Sequence, residues 1–215
     1  MRIGVLGSGM VGGTIGTKLV ELGHEVKMGS RSAGNEKAVA WASGAEDGAS
    51  EGSFADAASF GEIVFNCTAG TASLDVLRSA GSDNLSGKVL VDVANPLDFS
   101  KGMPPTLSVC NDDSLGEQIQ RGLPDVRVVK ALNTVNASVM VDPSPVPGSA
   151  IFVCGNDEDA KGQVADLLRS FGWAGDCIVD LGDISGARGT EMYLSLWLRM
   201  MGALGTPSFN IAVAR

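Results

Sequence analysis

The sequence predicts an α/β protein: a Rossmann-type doubly wound parallel sheet with a small C-terminal α/β lobe. Three observations predict it. Short apolar runs alternate with helix-period segments along most of the chain. The first run, from Arg2 to Leu6, enters Gly7-Ser8-Gly9-Met10-Val11-Gly12 and then an amphipathic pattern through Ile15, Leu19, Val20 and Leu22. With 44% hydrophobic residues and 29 glycines, the 215 residues suit a sizeable core joined by tight turns.

The elements follow in order. After the glycine turn and its helix, residues 24–28 read as the second strand, 35–45 as a helix, 49–53 as a weak third strand and 54–60 as a short helix. Residues 62–67 form the fourth strand and 71–80 a helix; 88–94, closed by Asn95-Pro96, form a strong fifth strand. A loop with Pro104-Pro105 precedes a helix over 113–121 and the sixth strand over 125–131. The proline-rich stretch 141–148 marks the boundary between a unit over 1–145 and a smaller one over 146–215. The smaller unit begins with a strand over 150–154. Its next helix has Asn156 as the N-cap, acids in its first turn and Gly172 at its end. A strand over 177–181 and a long helix over 187–204 complete it. Leu194, Leu196, Trp197, Leu198, Met200 and Met201 cover more than one side of that helix. Such a surface predicts a homodimer interface, or else a helix interior to the lobe.

A G-x-G-x-x-G turn between a strand and a helix predicts dinucleotide binding. Gly7 permits the turn, Gly9 lets backbone approach a pyrophosphate, and Gly12 lets the helix pack on the strand. The first-turn N–H groups and the helix dipole favour the phosphates. An NAD site places an acid at the end of the second strand, about 20 residues past the glycines, to hold the ribose 2′-hydroxyl. Here that place reads Gly29-Ser30-Arg31-Ser32, with no acid until Glu36 and with Lys37 one turn on. A guanidinium attracts a 2′-phosphate that a carboxylate would repel. The expected cofactor is therefore NADP(H), held by Ser30, Arg31 and Lys37.

Composition excludes other classes. A net charge of −9 and an aromatic share of 5% give no electrostatic or stacking platform for nucleic acid. The four cysteines form no C-x-x-C and the one histidine is His24, so no metal site is expected. Cys67, Cys154 and Cys177 fall in apolar runs and read as buried, and Cys110 as the most exposed. No apolar stretch is long enough to span a membrane. The first strand starts at the N-terminus, so a cytoplasmic protein without a signal peptide is expected.

In a doubly wound sheet the ligand lies beyond the carboxyl ends of the strands. Those tips are Gly7-Ser8-Gly9, Ser30-Arg31, Cys67-Thr68-Ala69-Gly70, Ala94-Asn95-Pro96 and Leu132-Asn133-Thr134-Val135. Small residues there let a nicotinamide lie on backbone. Asn95 and Asn133 either bond the carboxamide or a substrate carbonyl, or simply cap turns. The tips carry no histidine, no lysine–aspartate pair and no Tyr-x-x-x-Lys, and Lys130 reads as a structural strand lysine. No general acid or base for a ketone or alcohol is in view. Hydride exchange between two stacked redox rings needs only positioning, at roughly 3–3.5 Å.

The glycine fingerprint, Ser30-Arg31 with Lys37, Val128-Val-Lys-Ala-Leu-Asn-Thr134, and Val153-Cys-Gly-Asn-Asp157 occur together in order. In that arrangement the chain resembles the NADP oxidoreductases that use the deazaflavin coenzyme F420. The resemblance implies that Gly7, Ser8, Gly9, Met10, Ser30, Arg31 and Lys37 grip NADP. Val11, Gly12, Thr68, Ala69, Asn95 and Pro96 complete the candidate cofactor site. The resemblance also implies that nicotinamide and deazaflavin meet near 132–135, so Asn133 and Val135 become ring-positioning candidates. Deazaflavin users of the family carry a histidine where this chain has Asn133. Related chains reduce flavins or ferric ions, so FMN or FAD stands beside coenzyme F420 as co-substrate. Two readings of other kinds remain: an NADPH-dependent reductase of a small imine or carbonyl, and a non-catalytic NADP(H)-binding sensor.

Overall fold

A computed structural model describes residues 1–45 and 47–214. From the N-terminus, β1 (Arg2–Leu6), α1 (Met10–Glu21), β2 (Glu25–Ser30), α2 (Glu36–Gly44), β3 (Ala49–Ser53) and α3 (Phe54–Phe60) follow in turn. They are succeeded by β4 (Ile63–Asn66), α4 (Gly70–Ala80), the single-turn α5 (Ser82–Leu85) and β5 (Val89–Asp92). An antiparallel ribbon of β6 (Leu97–Asp98) and β7 (Thr106–Leu107) occupies the loop expected around Pro104-Pro105. The rest comprises α6 (Leu115–Gly122), β8 (Arg127–Ala131), α7 (Ala137–Val141), β9 (Ile151–Gly155), α8 (Glu158–Ser170), β10 (Ile178–Asp180) and α9 (Ala187–Leu204).

Eight strands form one sheet in the order β10-β9-β8-β5-β4-β1-β2-β3. The chain reverses direction across the sheet at β1, with β2 on one side and β4 on the other, which is the switch point where such folds bind ligands. Every neighbouring pair is parallel except β8 and β9. That pair corrects the expectation of a parallel sheet throughout. The connection over 132–150 holds only the five-residue α7 and brings β9 back antiparallel to β8. β9 and β10 continue the same sheet past position 145, and α9 packs back on α6.

Both faces of the sheet are covered, so alternate strand residues feed two cores. Ile3, Val5, Phe65, Val91 and Val129 pack on the face of α1, α7 and α8. Leu6, Val64, Leu90 and Val128 pack on the face of α3 to α6. Gly4 lies on that second face because a Cβ there would collide with the Ala57 carbonyl of α3.

Some boundaries shift for local reasons. β2 runs on to Ser30, in register with Ser53 of β3, so His24 precedes the strand. α6 starts after Ser114, whose hydroxyl accepts from Glu117 N at 3.1 Å, while Asp113 instead takes a two-pronged bond from Arg121. The cap of α8 is Asp157, not Asn156: Asp157 accepts from Ala160 N at 2.7 Å. Asn156 accepts from Ile184 N at 3.0 Å and ties β9 to the approach to α9. Cys154 is buried, and Cys67, Cys110 and Cys177 are half-buried; all four are free thiols. Among the described residues no helix is long and apolar enough to cross a membrane.

Candidate functional site

The site begins where β1 ends. Gly7 has φ +115°, a conformation that favours glycine, and its N–H donates to Gly29 O at 2.9 Å. A Cβ on Gly12 would run into the Gly7 carbonyl, so α1 packs on the turn only with glycine there. Gly9 differs: an added Cβ would meet nothing within 4 Å. It is the N-cap of α1, with no side-chain cap and no acid in the first turn. The N–H groups of that turn therefore face open space beside a glycine, as an anionic pyrophosphate requires. Ser8 donates to Asn35 Oδ1 at 3.3 Å, and Asn35 caps α2 by accepting from Lys37 N and Ala38 N. The glycine turn and the start of α2 are thus tied together.

At the tip of β2, Arg31 and Lys37 are exposed and form no ion pair among the described residues. Both remain available to a 2′-phosphate. Ser30 is buried, and its hydroxyl donates to the Ser32 carbonyl at 2.6 Å. It shapes the loop, and its proton is not presented to a phosphate as the sequence suggested. Glu51 of β3 accepts from Gly34 N through both oxygens, at 3.1 and 3.2 Å, and pins the far side of the same loop. No local pattern marks Glu51 for that role.

Below the remaining tips runs a buried polar row set by strand register. Asn66, Asp92 and Lys130 are neighbours across β4, β5 and β8. Asn66 Nδ2 donates to Asp92 at 2.9 Å, and Thr68 Oγ1 donates to Asn66 Oδ1 at 2.6 Å. Lys130 Nζ lies 2.7 Å from Asp92, 2.7 Å from Glu191 of α9 and 2.6 Å from the Ala94 carbonyl. Glu191 also accepts from Leu115 N and Gly116 N at the start of α6. Burial disfavours the Lys130 charge, but Asp92 and then Glu191 overcome that and hold its pKa above the ordinary lysine value. Burial likewise pushes the Glu191 carboxyl up. All three donor positions of Lys130 are used inside the protein, so it is the structural lysine the sequence suggested.

Above the row, Asn95 and Asn133 form a reciprocal pair. Asn95 Nδ2 donates to the Asn133 carbonyl at 2.8 Å, and Asn133 Nδ2 donates to Asn95 Oδ1 at 3.0 Å. Asn133 is 2% exposed, and its Oδ1 has no partner among the described residues. Leu132, just before it, holds φ +65°, which strains a branched side chain. Gly70 is needed opposite, where a Cβ would enter the Asn95 carbonyl.

These tips surround a cleft of about 870 Å³. Of the predicted site residues, Met10, Val11, Thr68, Ala69, Asn95, Asn133 and Val135 line it. Gly7, Ser8, Gly9 and Gly12 form the turn at its edge, with Ser30, Arg31 and Lys37 at the adjoining tip of β2. Pro96 is not brought in: it lies outside the lining, and its carbonyl accepts from Ser108 N at 2.8 Å.

The family described as NADP oxidoreductase, coenzyme F420-dependent, matches residues 2–96. A crystal structure of a candidate F420-dependent NADP-reductase from Arthrobacter sp. FB24 is 50% identical, covers 100% of both chains and superposes with a TM-score of 0.94. The chain belongs to this family. An F420-dependent NADP reductase of Methanocaldococcus jannaschii is 32% identical over 62% of this chain and 59% of its own length. The metalloreductase STEAP3 of Rattus norvegicus is 28% identical over 96% of this chain and 38% of its own. The chain therefore spans well under two thirds of these two relatives.

Within this family member, the far wall of the cleft is what the sequence reading missed. Leu194 and Trp197 of α9, Pro207 and Ser208 of the tail, and Phe99 all line it. Trp197 stacks on Phe209 with centroids 5.3 Å apart. The apolar pattern of α9 pointed to burial, but not to burial over a ligand cleft. Among the described residues Cys67 is the one ionisable side chain in the lining, and burial, then the Asp92 charge, push its thiol well above the usual range. His24 precedes β2 at the amino ends of the strands, away from the cleft, 3.5 Å from the Met1 amine, with its pKa lowered by burial. Among the described residues no cluster of His, Cys, Asp or Glu could hold a metal ion.

Proposed function

We propose that the protein is an NADP(H)-dependent oxidoreductase that passes hydride between NADP(H) and a second flat redox ring, a deazaflavin such as coenzyme F420 or a flavin. One observation carries this reading. Among the described residues, the cleft is lined by no Asp, Glu, Lys, Arg, His or Tyr, and its single thiol stays protonated. A carbonyl or imine substrate needs a proton from such a group in the transition state. Hydride transfer between two rings does not: NADPH and the oxidised ring would become NADP+ and the reduced ring, and the one proton of that balance would come from solvent water and not from a side chain.

The residues fit the cofactor. The bare Gly9 and the uncapped start of α1 would hold the pyrophosphate, and Arg31 with Lys37 the 2′-phosphate. Asn133 Oδ1 would accept from a carboxamide NH₂. NADPH bound there would supply the hydride from its nicotinamide. Val135 and Trp197 would flank the second ring, and Leu194 would give it an apolar wall. The rate then comes from holding two rings in contact. The archaeal relative's name supports the deazaflavin as the ring.

The test is NADPH oxidation by the purified protein with coenzyme F420, with FMN and with a set of small ketones and imines in parallel. Turnover with a ring acceptor is expected. Turnover with ketones or imines alone would overturn the reading in favour of a carbonyl or imine reductase. NADPH binding without turnover on any of them would leave a sensor.

A further inference from the structure

Four buried side-chain atoms lack a hydrogen-bond partner among the described residues: Asn133 Oδ1, Thr134 Oγ1, the Tyr193 hydroxyl and Trp197 Nε1. They sort into two cavities. Asn133 and Trp197 line the cleft just described. Thr134 and Tyr193 line a separate pocket of about 210 Å³. Its apolar walls are Phe152 of β9, Leu181 and Ile211. The separation is built into the chain. Asn133 and Thr134 are consecutive at the tip of β8, and Tyr193 and Trp197 lie one turn apart on α9. The same two segments therefore divide the pocket from the cleft.

We propose that this second pocket binds a small neutral alcohol or ketone with an apolar body, and that its occupancy changes the affinity of the cleft for NADP(H). A hydroxyl buried without a partner costs free energy that a ligand oxygen recovers, and both Thr134 and Tyr193 can donate or accept. Thr134 is only 1% exposed, so water in bulk does not serve it. No charged side chain lines the pocket, so an ionised ligand would lose its solvation for nothing. A cavity of about 150 Å³ holds benzene, so this open pocket of about 210 Å³ has the volume for a six-membered carbon ring bearing one oxygen. The link to the cleft is short. Thr134 follows Asn133 directly, and Leu132 before them is held at φ +65°. A ligand that draws on Thr134 acts on the backbone that orients Asn133. This coupling rests on the cleft being the NADP(H) site.

The experiment uses the full chain and cyclohexanol as the probe, followed by amide NMR. Saturable shifts at Gly189, Thr190 and Ile211 are expected. Thr134→Val and Tyr193→Phe should each weaken binding by about tenfold, and cyclohexanecarboxylate should not compete. Cyclohexanol at a concentration that just saturates the native chain should change NADPH affinity severalfold there and much less in either variant. No saturable binding, or binding equal in both variants, overturns the site. A change in sedimentation of Thr134→Val without any probe binding also overturns it and gives this face to a second copy of the chain. Probe binding with unaltered NADPH affinity overturns the coupling. Failure of NADPH to bind at all, with probe shifts intact, would instead break the cofactor reading.

Discussion

Asn133 Nδ2 donates to Asn95 Oδ1 at 3.0 Å, while Asn95 Nδ2 donates to the Asn133 carbonyl at 2.8 Å. A backbone carbonyl can only accept, so this contact fixes the orientation of both amides. It leaves Asn133 Oδ1 as a pure acceptor at the strand tips. A histidine in the same place could donate or accept.

The first prediction concerns that acceptor. Asn95→Ala frees the Asn133 side chain and should weaken NADPH binding by about tenfold. The 3-acetylpyridine analogue of NADPH has no amide NH₂, so its affinity should hardly change. Equilibrium titration of both cofactors checks this. Equal losses would mean that Asn133 does not read the carboxamide.

Arg31 sets the second. It is exposed and forms no ion pair among the described residues, so its removal costs the fold little. Arg31→Ala should lower NADPH affinity by about tenfold or more while leaving NADH binding unchanged. Binding isotherms for the two cofactors decide it, and a parallel loss for both would remove the 2′-phosphate role.

The buried group of Asp92, Lys130 and Glu191 gives the third. Lys130→Met strands two carboxylates away from water and should cost about 3–5 kcal/mol in denaturant unfolding. The triple replacement Asp92→Asn, Lys130→Met, Glu191→Gln should recover most of that loss. A triple variant as unstable as the single one would contradict the account of Lys130 as a charge-balancing anchor.

Acid stability supplies the fourth. The Arg188 guanidinium, 2.6 Å from Glu117, holds that carboxyl below its ordinary value of 4.5, with Ser114 adding to the effect. The folded pKa is therefore the lower one, and the unfolded chain takes up the proton first. The contribution is present above the ordinary value and is lost as pH falls through it toward the folded pKa. Arg188→Met should flatten the stability curve in that acid range and leave its slope near neutrality unaltered.

The N-terminal half of the fold was legible because β1, β4 and β5 are short apolar runs with a polar or glycine stop, while β3, Ala-Ser-Glu-Gly-Ser, is only a weak signal. Gly7 turns the chain and Gly12 lets α1 pack on that turn, as their spacing implied, while Gly9 leaves open space at the start of α1. The reversal of β9 was not legible, since Ile151 to Cys154 are apolar whichever way the strand runs, and the connection over 132–150 is long enough for either direction. The site was half legible. Met10, Thr68, Asn95 and Asn133 follow from strand tips, which are local. Trp197, Leu194 and Ser208 reach the cleft through the path of α9 and the tail, which Glu191 anchors at the start of α6. That is a contact between distant segments, and no local pattern marks it. Asn156 and Asp157 are both good caps, and only the pull of Ile184 N on Asn156 decides between them.

The account turns on hydride transfer that needs no side-chain acid. The most direct measurement is the single-turnover rate of NADPH oxidation by the ring acceptor the protein uses, followed from about pH 7 to 9 with NADPH and with NADPH deuterated at the transferring position. A flat profile with a clear isotope effect is predicted. A bell or a unit slope, with an ionisation that belongs to the protein, would show that an acid or base takes part and would contradict the account.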